Sequence, residues 1–170
     1  SSGIGKAITS ILLKSGADVI GLARDHKKFK PNFDRYLPIS LDLSDFEKIE
    51  SVIPKLLLEH SDIDVLICNA GHGDFQALEN FSSKQISKFI NLNLISHIIL
   101  CRHLVSYMKA KGNGDIIVIG SEASLAGKKK ATLYSAAKFG LRGFTQALRD
   151  ECSNTGVRVC LINPGFVRSP

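Results

Sequence analysis

The stretch Ser1–Asp25, SSGIGKAITSILLKSGADVIGLARD, decides the fold. Two glycines one residue apart, Gly3 and Gly5, stand directly before apolar residues at helical spacing: Ala7, Ile8, Ile11 and Leu12. In doubly wound α/β sheets a glycine turn of this kind follows a strand, and the amides at the N-terminus of the next helix hold a pyrophosphate. Here the turn and the helix are present but no strand stands ahead of them. The sequence is therefore expected to begin late, with a central strand preceding Ser1.

Working outward, apolar β-rich stretches alternate with helical periods. ADVIGLA, YLPISLDL, DIDVLICNAG, DIIVIGS and GVRVCLINPG separate helical runs near 5–15, 44–59, 82–110 and 132–153. That rhythm of βαβ units, with near-continuous apolar strands, predicts a doubly wound parallel sheet covered on both faces, a three-layer αβα Rossmann fold. Ser44 in SDFE and Ser82 in SSKQ both read as capping boxes. Pro54 falls inside the second helical run and is expected to kink or shorten it. No repeat or linker interrupts the pattern, so residues 1–170 are expected to form one domain, truncated at both ends.

Composition narrows the function classes. The 170 residues are 44% hydrophobic and 22% charged, enough for a real core. No apolar run approaches the roughly 20 residues that a membrane span needs, and no charged-then-apolar leader opens the chain. Cys68, Cys101, Cys152 and Cys160 form no CxxC pair and lie in apolar surroundings, which predicts buried thiols and a cytoplasmic protein. The five histidines show no ligand spacing, so no metal site is expected. The net charge of +6 comes with lysines at Lys27, Lys28, Lys30 and Lys128–Lys130, but no aromatics interleave with them and no nucleic-acid partner is expected.

Three elements carry chemistry. Arg24 ends the first strand 19 residues past Gly5, where dinucleotide folds place the group that meets the adenosine ribose. An acid there would bond a 2′-hydroxyl, whereas a guanidinium after Ala23 suits a 2′-phosphate. Tyr134 and Lys138 lie four apart on one helix face, and an ammonium near a phenol stabilises its phenolate. Ser121 ends the strand DIIVIGS, 13 residues before Tyr134, at the edge where such sheets form their ligand crevice. A serine there can donate to a carbonyl oxygen while Tyr134 transfers the proton; Ser124 competes for that role.

Together these residues resemble the short-chain dehydrogenases/reductases, in their single-domain branch, over the whole chain. The family fingerprint TGxxxGxG matches through Ser1, Ser2, Gly3, Ile4 and Gly5, and its NAG motif matches Asn69, Ala70 and Gly71. Its catalytic Ser, Tyr and Lys fall on Ser121, Tyr134 and Lys138, and its PG motif on Pro164 and Gly165. The resemblance further implies that Asn93, in preference to Asn91, is the helix asparagine that holds a proton-relaying water. A buried amide in so apolar a helix also needs partners. By the same resemblance Asp42 and Leu43 border the adenine, and Val167 lies in the stretch that closes over the nicotinamide. The family often has a threonine there; this chain offers only Ser169.

The implied activity is hydride transfer between NADP(H), preferred over NAD(H), and a small-molecule carbonyl or alcohol. A 3-oxoacyl-carrier-protein reductase is the alternative, its acidic carrier suiting Lys128–Lys130. A non-catalytic NADP(H)-binding sensor is the reading from another class, and such proteins usually lack the tyrosine or the lysine. An epimerase of the longer branch would show GxxG instead of GxG. The segment Phe89–Leu104 is apolar over more of its circumference than one sheet contact covers, which predicts a homodimer or homotetramer.

Overall fold

Every described strand pairs in parallel with its neighbour, and helices connect β2 to β3, β3 to β4 and β4 to β5. The computed structural model describes residues 2–27 and 29–167, and the expectations for Ser1, Lys28 and Ser169 fall outside these residues. Helix α1 (Gly3–Lys14) leads into β1 (Val19–Ala23), which pairs in parallel with β2 (Tyr36–Ser40), Gly21 standing opposite Pro38. Pro38 offers no N–H to a further strand, as suits an edge. A second parallel sheet has the order β3 (Val65–Cys68), β4 (Gly114–Ile119), β5 (Val157–Ile162). Ile67 faces Ile117, and Ile117 faces Cys160. Among the described residues β1 and β3 share no ladder.

The crossovers are α2 (Phe46–Glu59), the helical segment 83–111, and α5 (Thr132–Glu151). The middle segment comprises α3 (Ser83–Ile90), a π-helical turn (Asn91–Ile95) and α4 (Ser96–Lys111). Its left-handed cap, Gly112 at φ +70°, closes the last turn before β4. Ile49 and Ile53 of α2, Leu100, Leu104 and Met108 of α4, and Leu141 and Leu148 of α5 share one buried cluster with Ile116 and Val118 of β4. Parallel sheets flanked by helices give the expected doubly wound, three-layer α/β architecture.

Four local expectations meet different outcomes. Ser82 does form a capping box: its Oγ accepts from Gln85 N at 3.3 Å, and Gln85 Oε1 accepts from Ser82 N at 2.9 Å. Ser44 does not. Asp45 caps α2 by accepting from Lys48 N at 3.2 Å, because a carboxylate suits the helix N-terminus better than a hydroxyl, and Ser44 Oγ donates to Asp42 at 2.7 Å. Pro54 does not shorten α2, which runs on to Glu59. The proline removes one rung while Ile49, Ile53 and Leu56 hold the helix by burial. Cys160 is exposed, since it points to the face of β5 away from the core, while the other three thiols are buried.

The span expectation is corrected too. The helical segment Ser83–Lys111 is long and apolar enough, by length and composition, to cross a membrane. Its fully buried Asn93, Ser96 and His97 are enclosed by protein, as in a core helix.

Candidate active site

The site forms where β4 ends. Ser121 follows Ile119 and Gly120, and its backbone N–H donates to Asn163 Oδ1 at 3.1 Å. Ser124 is fully buried and donates its hydroxyl to the same Asn163 oxygen at 2.9 Å, so its proton is already spent. Ser121 Oγ instead accepts from Ala123 N at 3.2 Å and keeps its proton to give. Glu122 N donates to Pro164 O at 3.1 Å, which brings the Pro164–Gly165 turn beside this serine. Val167 lies exposed beyond it.

Lys138 is only 5% exposed, and its Nζ donates to Ile119 O at 2.9 Å. Burial lowers its pKa to about 8. The same Nζ lies 5.7 Å from the ring centroid of half-buried Tyr134, one turn earlier in α5. The structure therefore brings Ser121, Tyr134 and Lys138 to one strand end. Phe75 meets Tyr134 edge-on, with ring centroids 5.4 Å apart.

Asn93, not Asn91, is the buried asparagine of the π turn. Its Nδ2 donates to Phe89 O at 3.0 Å and its Oδ1 accepts from His72 N at 3.1 Å. The loop it holds contains Asn69, Ala70 and Gly71. Gly71 has φ +150°, and a Cβ there would lie 2.5 Å from Asn93 Oδ1.

At the other end, α1 starts from extended Ser2, whose side chain makes no capping bond, and from Gly3 at φ +51°. The first turn holds no acid, and the amides of Gly3, Ile4 and Gly5 precede the first helical bond, Lys6 N to Ser2 O. A Cβ on Gly5 would lie 2.5 Å from Asn69 Nδ2, so the helix start abuts the loop after β3. Such a cradle of free amides fits a pyrophosphate. Arg24 is exposed at the end of β1, beside an open hollow lined with Lys27, Phe29 and Tyr36. Asp42 accepts from Ser44 N and Oγ, and those bonds, with smaller help from Arg24 and Lys88, hold its carboxyl below the usual range. Leu43 beside it is buried. These residues fit a nicotinamide dinucleotide.

Sequence reasoning missed three residues here. Asn163 binds the turn containing both serines, and its signal was a polar residue at a strand end before proline. His97 donates from Nε2 to Ala70 O at 2.8 Å, and its signal was a polar group in an apolar helix. Phe75 carries no local signal.

A parallel α/β sheet whose strand ends gather these polar groups has the architecture of the dinucleotide-binding class. The chain belongs to the short chain dehydrogenase family, whose model matches residues 1–170. It is 34% identical to the 3-oxoacyl-[acyl-carrier-protein] reductase FabG of Escherichia coli, over 99% of this chain and 71% of that protein. A short-chain dehydrogenase structure from Streptomyces avermitilis superposes with TM-score 0.93 at 30% identity, covering 98% of this chain and 64% of that one, so the chain spans less than two thirds of its length. A metagenomic short-chain oxidoreductase in complex with NADP gives TM-score 0.89 at 32% identity, over 98% and 78% of the two chains. A 4-hydroxyisoleucine dehydrogenase complexed with NADH and succinate gives 0.93 at 28%, over 99% and 74%.

Burial of Lys138 has a measurable sign. Its folded pKa of about 8 lies below its ordinary 10.5, so the unfolded chain binds more protons across that window and stability rises with pH through it. Below pH 8 the burden is fully present. Relative to Lys138→Met, the wild type is expected to gain on the order of 2 kcal/mol between pH 7 and pH 10. Urea denaturation of both proteins at the two pH values measures this, and an unchanged difference would refute it.

Proposed function

We propose that the protein is an NADP(H)-dependent oxidoreductase acting on a carbonyl/alcohol carbon. The observation that carries this reading is Lys138 Nζ, 5.7 Å from the Tyr134 ring and bonded at 2.9 Å to the carbonyl of Ile119, which ends β4 two residues before Ser121. A bound nicotinamide would supply or take the hydride. Tyr134 would give the proton to the carbonyl oxygen or take it from the alcohol, while Ser121 donates a hydrogen bond to that oxygen and orients it. Lys138 would hold a positive charge beside the phenolate so formed, with two N–H groups left for the nicotinamide ribose. Asn93 would hold a water that returns the proton from the lysine.

For the cofactor, Ser2, Gly3, Ile4 and Gly5 would cradle the pyrophosphate. Asp42 and Leu43 would border the adenine, and Asn69, Ala70 and Gly71 the dinucleotide along its middle. Pro164, Gly165 and Val167 would close over the nicotinamide. Similar structures hold NADP in one case and NADH in another, so the choice rests on this chain's own residues. Arg24 is exposed with no acid at position 23, which favours a 2′-phosphate.

The second reading, a 3-oxoacyl-carrier-protein reductase, is favoured by the identity to the Escherichia coli enzyme and by exposed Lys128–Lys130 ahead of α5, a surface for an acidic carrier. A non-catalytic NADP(H) sensor is disfavoured because both the tyrosine and the lysine are in place. We further propose a homodimer or homotetramer joined through the helical segment 83–111 and α5, where Phe139 is 42% exposed. Three buried, unbridged thiols suit a reducing, cytoplasmic setting.

Three outcomes are expected. Tyr134→Phe keeps fold and NADPH affinity while turnover, followed by NADPH absorbance on ketones, aldehydes and acyl thioesters, falls by about 100- to 10,000-fold. Surviving turnover would remove Tyr134 from the mechanism, and tight NADPH binding without turnover on any substrate would revive the sensor. NADPH binds at least about tenfold more tightly than NADH, and Arg24→Ala abolishes that preference. Equal affinities in the wild type would overturn the cofactor assignment. Light scattering at micromolar concentration shows a dimer or larger, a monomer counting against the assembly.

A further inference from the structure

One face of the helical segment 83–111 meets the end of β3 at three successive levels. Asn93 Oδ1 accepts from His72 N at 3.1 Å, His97 Nε2 donates to Ala70 O at 2.8 Å, and Cys101 Sγ lies 3.8 Å from Cys68 Sγ. The helix advances four residues per level and the strand retreats two. These steps match, because four helical residues rise about 6 Å and two extended residues about 6.6 Å. Between the two hydrogen-bonded levels sits Gly71, which has no room for a Cβ.

His97 is fully buried. A carbonyl oxygen only accepts, so Nε2 must carry the ring proton and Nδ1 is left as a bare acceptor, which finds no partner among the described residues. Burial first, and the Lys138 charge second, lower its pKa to about 4, so the ring is held neutral near pH 7. A leucine would fill this space without stranding a nitrogen. What the imidazole adds is one hydrogen bond to the loop.

We propose that His97 is a positioning residue for the cofactor: with Asn93 it fixes the backbone of Ala70–His72, so that the loop bordering the dinucleotide is set before anything binds. The inference rests on the functional reading above, in which that loop touches the cofactor. A loop already held in its bound form loses less freedom on binding, and affinity gains accordingly.

The test titrates NADPH into the wild type and into His97→Leu, His97→Asn and His97→Gln, with circular dichroism confirming that each is folded. A glutamine amide nitrogen reaches the Nε2 position, whereas that of asparagine stops near Nδ1. Leu and Asn are expected to weaken NADPH binding about tenfold, the size of one hydrogen bond's net contribution, and Gln to restore it to within about twofold. KM for NADPH should rise in step while kcat falls less. Amide hydrogen exchange at Gly71 and His72, measured without nucleotide, should quicken in Leu and Asn but not in Gln. Normal NADPH binding by Leu, or equal weakening in Leu and Gln, would overturn the role of His97 alone. A wild type that binds neither NADPH nor NADH would overturn the functional reading, and this inference with it.

Discussion

The hydrogen bond from Lys138 Nζ to Ile119 O is the constraint on which the site depends. An ammonium that is 5% exposed loses most of its hydration, and the loss is tolerable only where fixed acceptors stand in for water. The carbonyl of Ile119 is such an acceptor, held because β4 is paired on both sides. The bond therefore locks the start of α5 to the end of the central strand. Tyr134, one turn earlier, and Ser121, two residues beyond Ile119, take their places from that lock.

The remaining groups are tied to the same strand ends by bonds that reach far along the chain. Asn163, after β5, holds Ser121 N and Ser124 Oγ across 42 and 39 residues. Asn93 and His97 reach back 21 and 27 residues to the loop after β3. Gly5 abuts Asn69 of that loop, so the start of α1 joins the same assembly. Parallel sheets gather strand C-termini on one side, and each of these contacts lies there.

Features governed by local chemistry were legible in the sequence. The glycine turn, the helical periods, the Ser82 box and the four-residue spacing of Tyr134 and Lys138 depend on neighbours within a turn or two. Features set by distant partners were not. Spacing left Ser121 and Ser124 in competition, and the separation between them comes from Asn163, which no local pattern connects to either. Asn91 and Asn93 were hard to rank by period because the π turn inserts an extra residue and shifts the helical phase between α3 and α4. Pro54 misled because propensity describes an isolated helix, whereas α2 is held by the burial of Ile49 and Ile53.

The site collects groups that folding alone disfavours: a buried ammonium in Lys138, a histidine nitrogen without a partner among the described residues, and an asparagine enclosed in an apolar helix. Each costs stability relative to an apolar residue of similar shape. They sit together at the edge of the core in which Ile116, Val118 and Met108 are fully buried, so the apolar packing just beneath offsets the polar burial above it. That arrangement has a directional consequence. Polar groups packed against such a layer cannot relax toward water, and the unspent donors on Lys138 and Ser121 keep fixed positions. Fixed dipoles in a shielded crevice stabilise developing charge without first having to reorganise, which is what proton transfer to a carbonyl oxygen requires. Under the proposed function, the stability given up at Lys138 is thus the physical counterpart of preorganisation for proton transfer, and that given up at His97 the counterpart of a loop held in place.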